Sequence, residues 1–206
     1  AFFIKDEKLA RTWAVLASFA TLTIAILSLC CMNDTKSLNY HCEWLPSLGA
    51  SFSLKMDGVA QLLCLLNTIA YPLVFIAGWD KTYKNAKNFF ALMLLAQAGI
   101  MGVFLAADAL LFYFFWELAL IPMYFLCSQW GGEKRVAVTF KFFIYTFIGS
   151  LLMLISILYL YGQTPDHSFS IESFYNLKLT SKQQSIPFWL MFVAFAVKMP
   201  IFPVHT

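Results

Sequence analysis

Apolar positions in this chain fall in long unbroken runs, and polar positions collect between the runs. Six runs approach or exceed the length needed to cross a bilayer: residues 12–32, 58–79, 89–107, 109–130, 136–161 and 187–204. A helix needs about 20 residues to span the hydrocarbon core. A barrel strand needs about half that and alternates. The pattern therefore predicts an all-α fold, a polytopic transmembrane helix bundle of six spanning helices. The last is broken near Pro200 and Pro203, and residues 1–206 form a single membrane domain. The short turn "AADAL" makes the third and fourth helices antiparallel neighbours. The longer polar loops 33–57 and 162–186 are expected to carry short surface helices. No internal repeat is visible.

Composition strengthens the membrane reading. Hydrophobic residues make up 61% of the chain, charged residues only 12%, and the mean hydropathy is +0.72. A soluble domain is about half apolar and about a quarter charged, so packing alone could not hide this much apolar surface from water. A net charge of +3 is too small to suggest nucleic acid. Cys30, Cys31, Cys42, Cys64 and Cys127 show no metal-type spacing, and four of them lie in or beside apolar runs, which points to buried free thiols. "AFFIKDEKLARTW" mixes acids with bases ahead of an overlong apolar run, unlike a signal peptide. A start without Met and an end directly after an apolar run are expected of a fragment open at both ends.

The loop charges give an orientation. Six crossings place Lys5, Lys8, Arg11, Lys81, Lys84, Lys87, Lys134, Arg135 and Lys141 on one side, and Lys36, Lys55, Lys178 and Lys182 on the other. Nine against four puts the first set on the cytoplasmic or matrix side. Trp44, Trp79, Trp130 and Trp189 lie near run ends, where interfacial aromatics belong.

Two charges violate the pattern. Glu117 stands in "FFWELALIPMYF" and Lys198 in "FVAFAVKMPIFPVHT", both near mid-membrane and about one helical turn apart in depth. A lone ionised group there costs on the order of several kcal/mol. An apolar pair of equal volume is often as stable as a buried ion pair, so stability does not explain the two residues. A proton or ion path is the functional reading, and an inert pair that fixes helix register is the competing one. Burial disfavours a charged amine and a nearby carboxylate favours it, so a contact that opens and closes moves a proton. Pro122 removes the partner of the Leu118 carbonyl, and Pro200 and Pro203 those of Ala196 and Met199. Such carbonyls beside charges are a feature of transporter ion sites, and an ordinary proline kink competes for Pro122.

Lys141 either snorkels at the inner mouth of its helix or, with Tyr145 one turn away, extends a polar route. Thr139, Thr146 and Ser150 read as packing glue, and Asn67 and Gln97 as interhelical hydrogen-bond partners. His205 is either a relay or an interfacial histidine. The sequence carries no phosphate loop, cysteine cluster or haem-ligand pair, so no cofactor or metal is expected in this chain.

"FFWELALIPMYF", "WGGEKR", "KFFIYTFIGSLLML", "AFAVKMPIFPVHT" and "KMDGVAQLLCLLNTIAYPLVFIAGW" together resemble subunit M of bacterial NADH:quinone oxidoreductase. Its mitochondrial counterpart is chain 4 of NADH dehydrogenase, in respiratory complex I. The resemblance implies an antiporter-like subunit of about fourteen helices, of which this chain would be an N-terminal-half fragment covering helices 2 to 7. It implies that Glu117 and Lys198 are the proton-translocation pair, with Lys141 and His205 as further candidates for proton uptake or relay. NAD, FMN, iron–sulfur clusters and quinone would belong to partner subunits, and neighbouring antiporter-like subunits would be its partners in the membrane arm. The bacterial inner membrane is the implied location, with the mitochondrial inner membrane as the alternative. A Na⁺/H⁺ antiporter, a membrane-bound hydrogenase subunit or a membrane scaffold with an inert pair are the alternative functions.

Overall fold

The computed structural model describes residues 6–31, 38–199 and 201–202. Pro200, Pro203 and His205 lie outside the described residues, and with them the predicted break. Seven α-helices are described: α1 (Glu7–Cys31), α2 (Gly58–Ala77), α3 (Ala86–Leu105), α4 (Ala109–Trp130), α5 (Arg135–Gln163), α6 (Ile171–Tyr175) and α7 (Ser181–Lys198). The first five are long and apolar enough to cross a membrane. The sixth expected crossing is not among them. α7 begins six residues before the predicted start, in "SKQQSI", because Thr180 and Gln183 close a capping box there. Pro187 is thus inside α7, and Ser156 of α5 donates to its carbonyl at 3.1 Å.

The expectation of an all-α chain is corrected in the first outer loop. Strands β1 (Tyr40–Leu45) and β2 (Ala50–Leu54) pair antiparallel there, where surface helices were expected. "ASFSL" alternates polar and apolar residues with period two, which suits a strand half-buried on a helix. The connection is a 3-10 turn at Pro46–Leu48 that closes on Gly49, whose φ of 68° is left-handed. Aromatic contacts seat the hairpin on the first turns of α4: Trp44 meets Phe114 at 5.5 Å and Phe52 meets Phe115 at 6.3 Å between ring centroids. The second outer loop does carry a short helix, α6.

The turn between α3 and α4 joins these loops. On one side Ala107 N–H donates to the Ser53 carbonyl, and Lys55 N–H to that of Leu105. On the other, Ala109 N–H donates to the Phe169 carbonyl and Ile171 N–H to that of Ala107. Asp108 sits at the junction, 1% exposed. Its Oδ1 caps α4 by accepting from Leu110 and Leu111 N–H, and its Oδ2 accepts from Ser51 N–H and Oγ. Four donors satisfy a buried carboxylate that would otherwise be costly.

Inside the bundle α1 packs on α2 and α3, α3 on α4, α4 on α5, and α5 on α7. The α3–α4 approach requires two glycines. A Cβ on Gly99 would stand 3.0 Å from the Ala119 backbone, and one on Gly102 would meet the Phe115 ring at 2.3 Å. The predicted polar partners are found: Asn67 of α2 donates to the Gln97 carbonyl of α3, and Gln97 Nε2 to Thr21 Oγ1 of α1. On the inner side, Arg11 donates to the carbonyls of Trp79 and Lys81, and Trp130 Nε1 donates to that of Lys84. The expected burial of the cysteines holds for Cys64, whereas Cys30 and Cys42 are exposed. Broad apolar faces of α1, α2 and α5 remain uncovered, including Leu16, Ile24, Leu62, Leu66, Ile148 and Ile155. A bilayer or neighbouring helices suit such faces.

Replacing Asp108 by Ala removes a helix cap and strands two buried donors, a loss of about 2–4 kcal/mol. Asp108→Asn retains one capping oxygen and is expected to lose less. Limited proteolysis of the hairpin and thermal unfolding in detergent should rank wild type, Asn and Ala in that order.

Candidate functional site

Glu117 stands about two turns into α4, with α5 packed alongside. It is half-buried, and its Oε1 has no hydrogen-bond partner. Its charge reaches Tyr113, one turn earlier on the same helix, and Lys198 on α7. Tyr113 is hydrogen-bonded to Ser150 of α5, whose Oγ in turn donates to the Phe147 carbonyl. The structure places Glu117 and an exposed Lys198 within electrostatic reach of one another. It does not close them into an ion pair.

Lys198 Nζ lies instead over the ring of Trp116, 4.4 Å from its centroid. This cation–π seat is one residue along α4 from Glu117. Trp116 is held by Phe195 of α7 in an edge contact at 5.6 Å and by Phe112 of its own helix at 5.6 Å. Sequence reasoning missed Trp116, although "FFWEL" places an indole directly before the anomalous carboxylate. Trp116 and Phe195 also border a cavity of about 960 Å³ on the outer side, whose polar lining includes His41, Lys55, Asp57 and Glu172.

The packing that brings Lys198 here depends on α5. A Cβ on Gly149 would approach Val197 Cβ to 3.3 Å, so the glycine sets the closest approach of α7, one residue before the lysine. Thr146 donates to the Phe142 and Phe143 carbonyls, and Ser150 to Phe147, so both spend their protons on their own helix. That fits packing glue rather than a path. Lys141 is exposed, with Nζ 5.8 Å from the Tyr145 ring centroid, off the buried stripe of Thr139, Thr146 and Ser150.

The expected free carbonyl at Ala196 is corrected. Ile201 N–H donates to it at 3.0 Å, a five-residue step that recovers the bond which Pro200 cannot make. Pro122 is buried inside an uninterrupted α4.

A family profile described as NADH:quinone oxidoreductase/Mrp antiporter, transmembrane, matches residues 106–206, which hold Glu117, Lys141 and Lys198. Subunit M of NADH-quinone oxidoreductase from Escherichia coli is 40% identical over 171 residues, covering 79% of this chain and 34% of that protein. The chain belongs to this antiporter-like family. Subunit M of F420H2 dehydrogenase from Methanosarcina mazei is 35% identical over the whole chain and 43% of its own length. A chain of respiratory complex I from Thermus thermophilus, solved with NADH bound, superposes with a TM-score of 0.87 at 27% identity. That match covers 95% of this chain and 41% of the other. The chain thus spans about two-fifths of the length of such relatives. Family membership accounts for the five apolar spans.

Gly149→Val places γ-carbons where Val197 already stands. α7 is expected to move off α5, seen as faster amide exchange along 190–198 in the detergent-solubilised protein, with α1–α3 unchanged.

Proposed function

We propose that this chain is part of a proton-translocating membrane-arm subunit of an NADH:quinone oxidoreductase, a translocase in which Glu117 and Lys198 couple quinone reduction to proton pumping. One observation carries the reading: a carboxylate oxygen without a partner, near the middle of α4, with a lysine from another helix inside its electrostatic reach. An inert pair that only fixes helix register has its partners closed. An open one has room to switch.

In this reading the pair has two states. With Lys198 near Glu117, the carboxylate is compensated and the amine keeps its proton. With Lys198 withdrawn, the carboxylate stands alone in an apolar bundle, and the amine is freer to pass its proton on. Lys141 and His205 remain second candidates, for proton uptake from the inner side and for relay. The reading also takes α7 as the beginning of a sixth crossing that is broken near Pro200 and Pro203. NAD, FMN, iron–sulfur clusters and quinone belong on partner subunits, and neighbouring antiporter-like subunits cover the exposed apolar faces. The energy-converting membrane would be the inner membrane of a bacterium, or that of a mitochondrion.

The likeness of this whole chain to part of an F420H2 dehydrogenase subunit favours a second reading of the electron donor. The membrane chemistry proposed for Glu117 and Lys198 is the same for either donor.

Glu117→Gln keeps size and hydrogen bonding but removes the charge. In the assembled complex in proteoliposomes, both quinone reductase turnover and lumen acidification are expected to fall at least tenfold. Unchanged turnover and pumping would reduce Glu117 to a packing residue. Orientation has its own check. With Cys42 as the sole thiol, a membrane-impermeant maleimide should label it from the outer face only, and a cysteine at Lys81 from the inner face only.

A further inference from the structure

The Lys198 ammonium has a defined resting place other than Glu117. Its Nζ is 4.4 Å from the Trp116 centroid, well inside the distance at which an indole face attracts a cation. Of the aromatic side chains, indole is the strongest such seat. Phe112 and Phe195 fix the ring from its own helix and from α7, so the seat exists before the ammonium arrives. Residues 116 and 117 are adjacent on α4 but point about 100° apart around it. Passage of the ammonium from ring to carboxylate therefore needs rotation of a flexible lysine stem, not a shift of α7.

We infer that Trp116 is a positioning residue that holds the Lys198 ammonium in the open state of the pair, in competition with Glu117. This rests on the proposed role of the pair. The balance between seats sets how long Glu117 stands uncompensated. A full ion pair without a competitor would trap Lys198 on Glu117, because separating opposite charges in an apolar bundle is expensive. A nearby π face lowers that cost by giving the departing cation a partner that carries no charge of its own and is not itself titrated. Trp116 also borders the outer cavity, so the ring is not enclosed by packing on every side.

Progressive fluorination of the indole weakens its hold on a cation with little change in shape. Trp116 would be replaced, in the assembled complex, by indoles carrying one to four ring fluorines, and turnover and proton pumping measured in proteoliposomes. Each fluorine is expected to slow coupled turnover. The most fluorinated ring should be on the order of fivefold slower than the parent, as Lys198 dwells on Glu117. Trp116→Phe should fall within the series, and Trp116→Leu at or below its slow end. Rates that stay flat across the series, with Glu117→Gln still defective, would overturn the seat and leave the pair's role intact. Flat rates together with an active Glu117→Gln would overturn both. Because the ring keeps its size across the series, a merely structural role for Trp116 predicts no graded response.

Discussion

The outer half of the molecule depends on one saturated carboxylate. Asp108 lies between two helices long enough to span a membrane, in a turn too short to make its own hydrogen bonds. Its two oxygens accept from the α4 terminus and from the hairpin. Backbone groups in apolar surroundings must be paired. The α3–α4 turn meets that requirement by acting as a strip between the hairpin and the 168–171 segment. The α3–α4 pair, set by Gly99 and Gly102, is thereby fixed at its outer end, and Glu117 hangs about two turns below that fixed point.

Asp108 and Glu117 are a fully paired and an incompletely paired carboxylate within one helix. Both are carboxylates of α4 or its cap. Asp108 has every acceptor site engaged, whereas Glu117 has an oxygen with none. A group that only holds a fold together gains from complete pairing. A group that must exchange partners cannot be completely paired in every state. Lys198 stands over the indole beside Glu117 rather than on the carboxylate itself.

Much of this was legible in the sequence because lipid leaves few options for an apolar run. The five long helices, the antiparallel α3–α4 neighbours and the Asn67–Gln97 contact all follow from run length, turn length and depth. The hairpin was not legible. Its strands are short, and in a loop a period-two pattern of that length competes with helix-forming alternatives. Asp108 entered only as part of the turn "AADAL", though an aspartate directly before "ALLFYFF" is also a helix cap. The seat on Trp116 was hidden because membrane helices are full of aromatics, and only geometry shows which one faces a cation. The Ala196 carbonyl was misread because proline removes one donor without preventing the next residue from supplying another.

The order in which the outer strip is assembled follows from where its pieces lie in the chain. The hairpin is synthesised before the α3–α4 turn, but residues 169–171 come after α5, so they reach the outer surface only once α5 has crossed. Until then the Ala109 amide and the Ala107 carbonyl lack the partners they have in the folded chain. During biogenesis the turn therefore has to stay at the wet surface, and the arrival of Phe169 and Ile171 is the event that lets it dry.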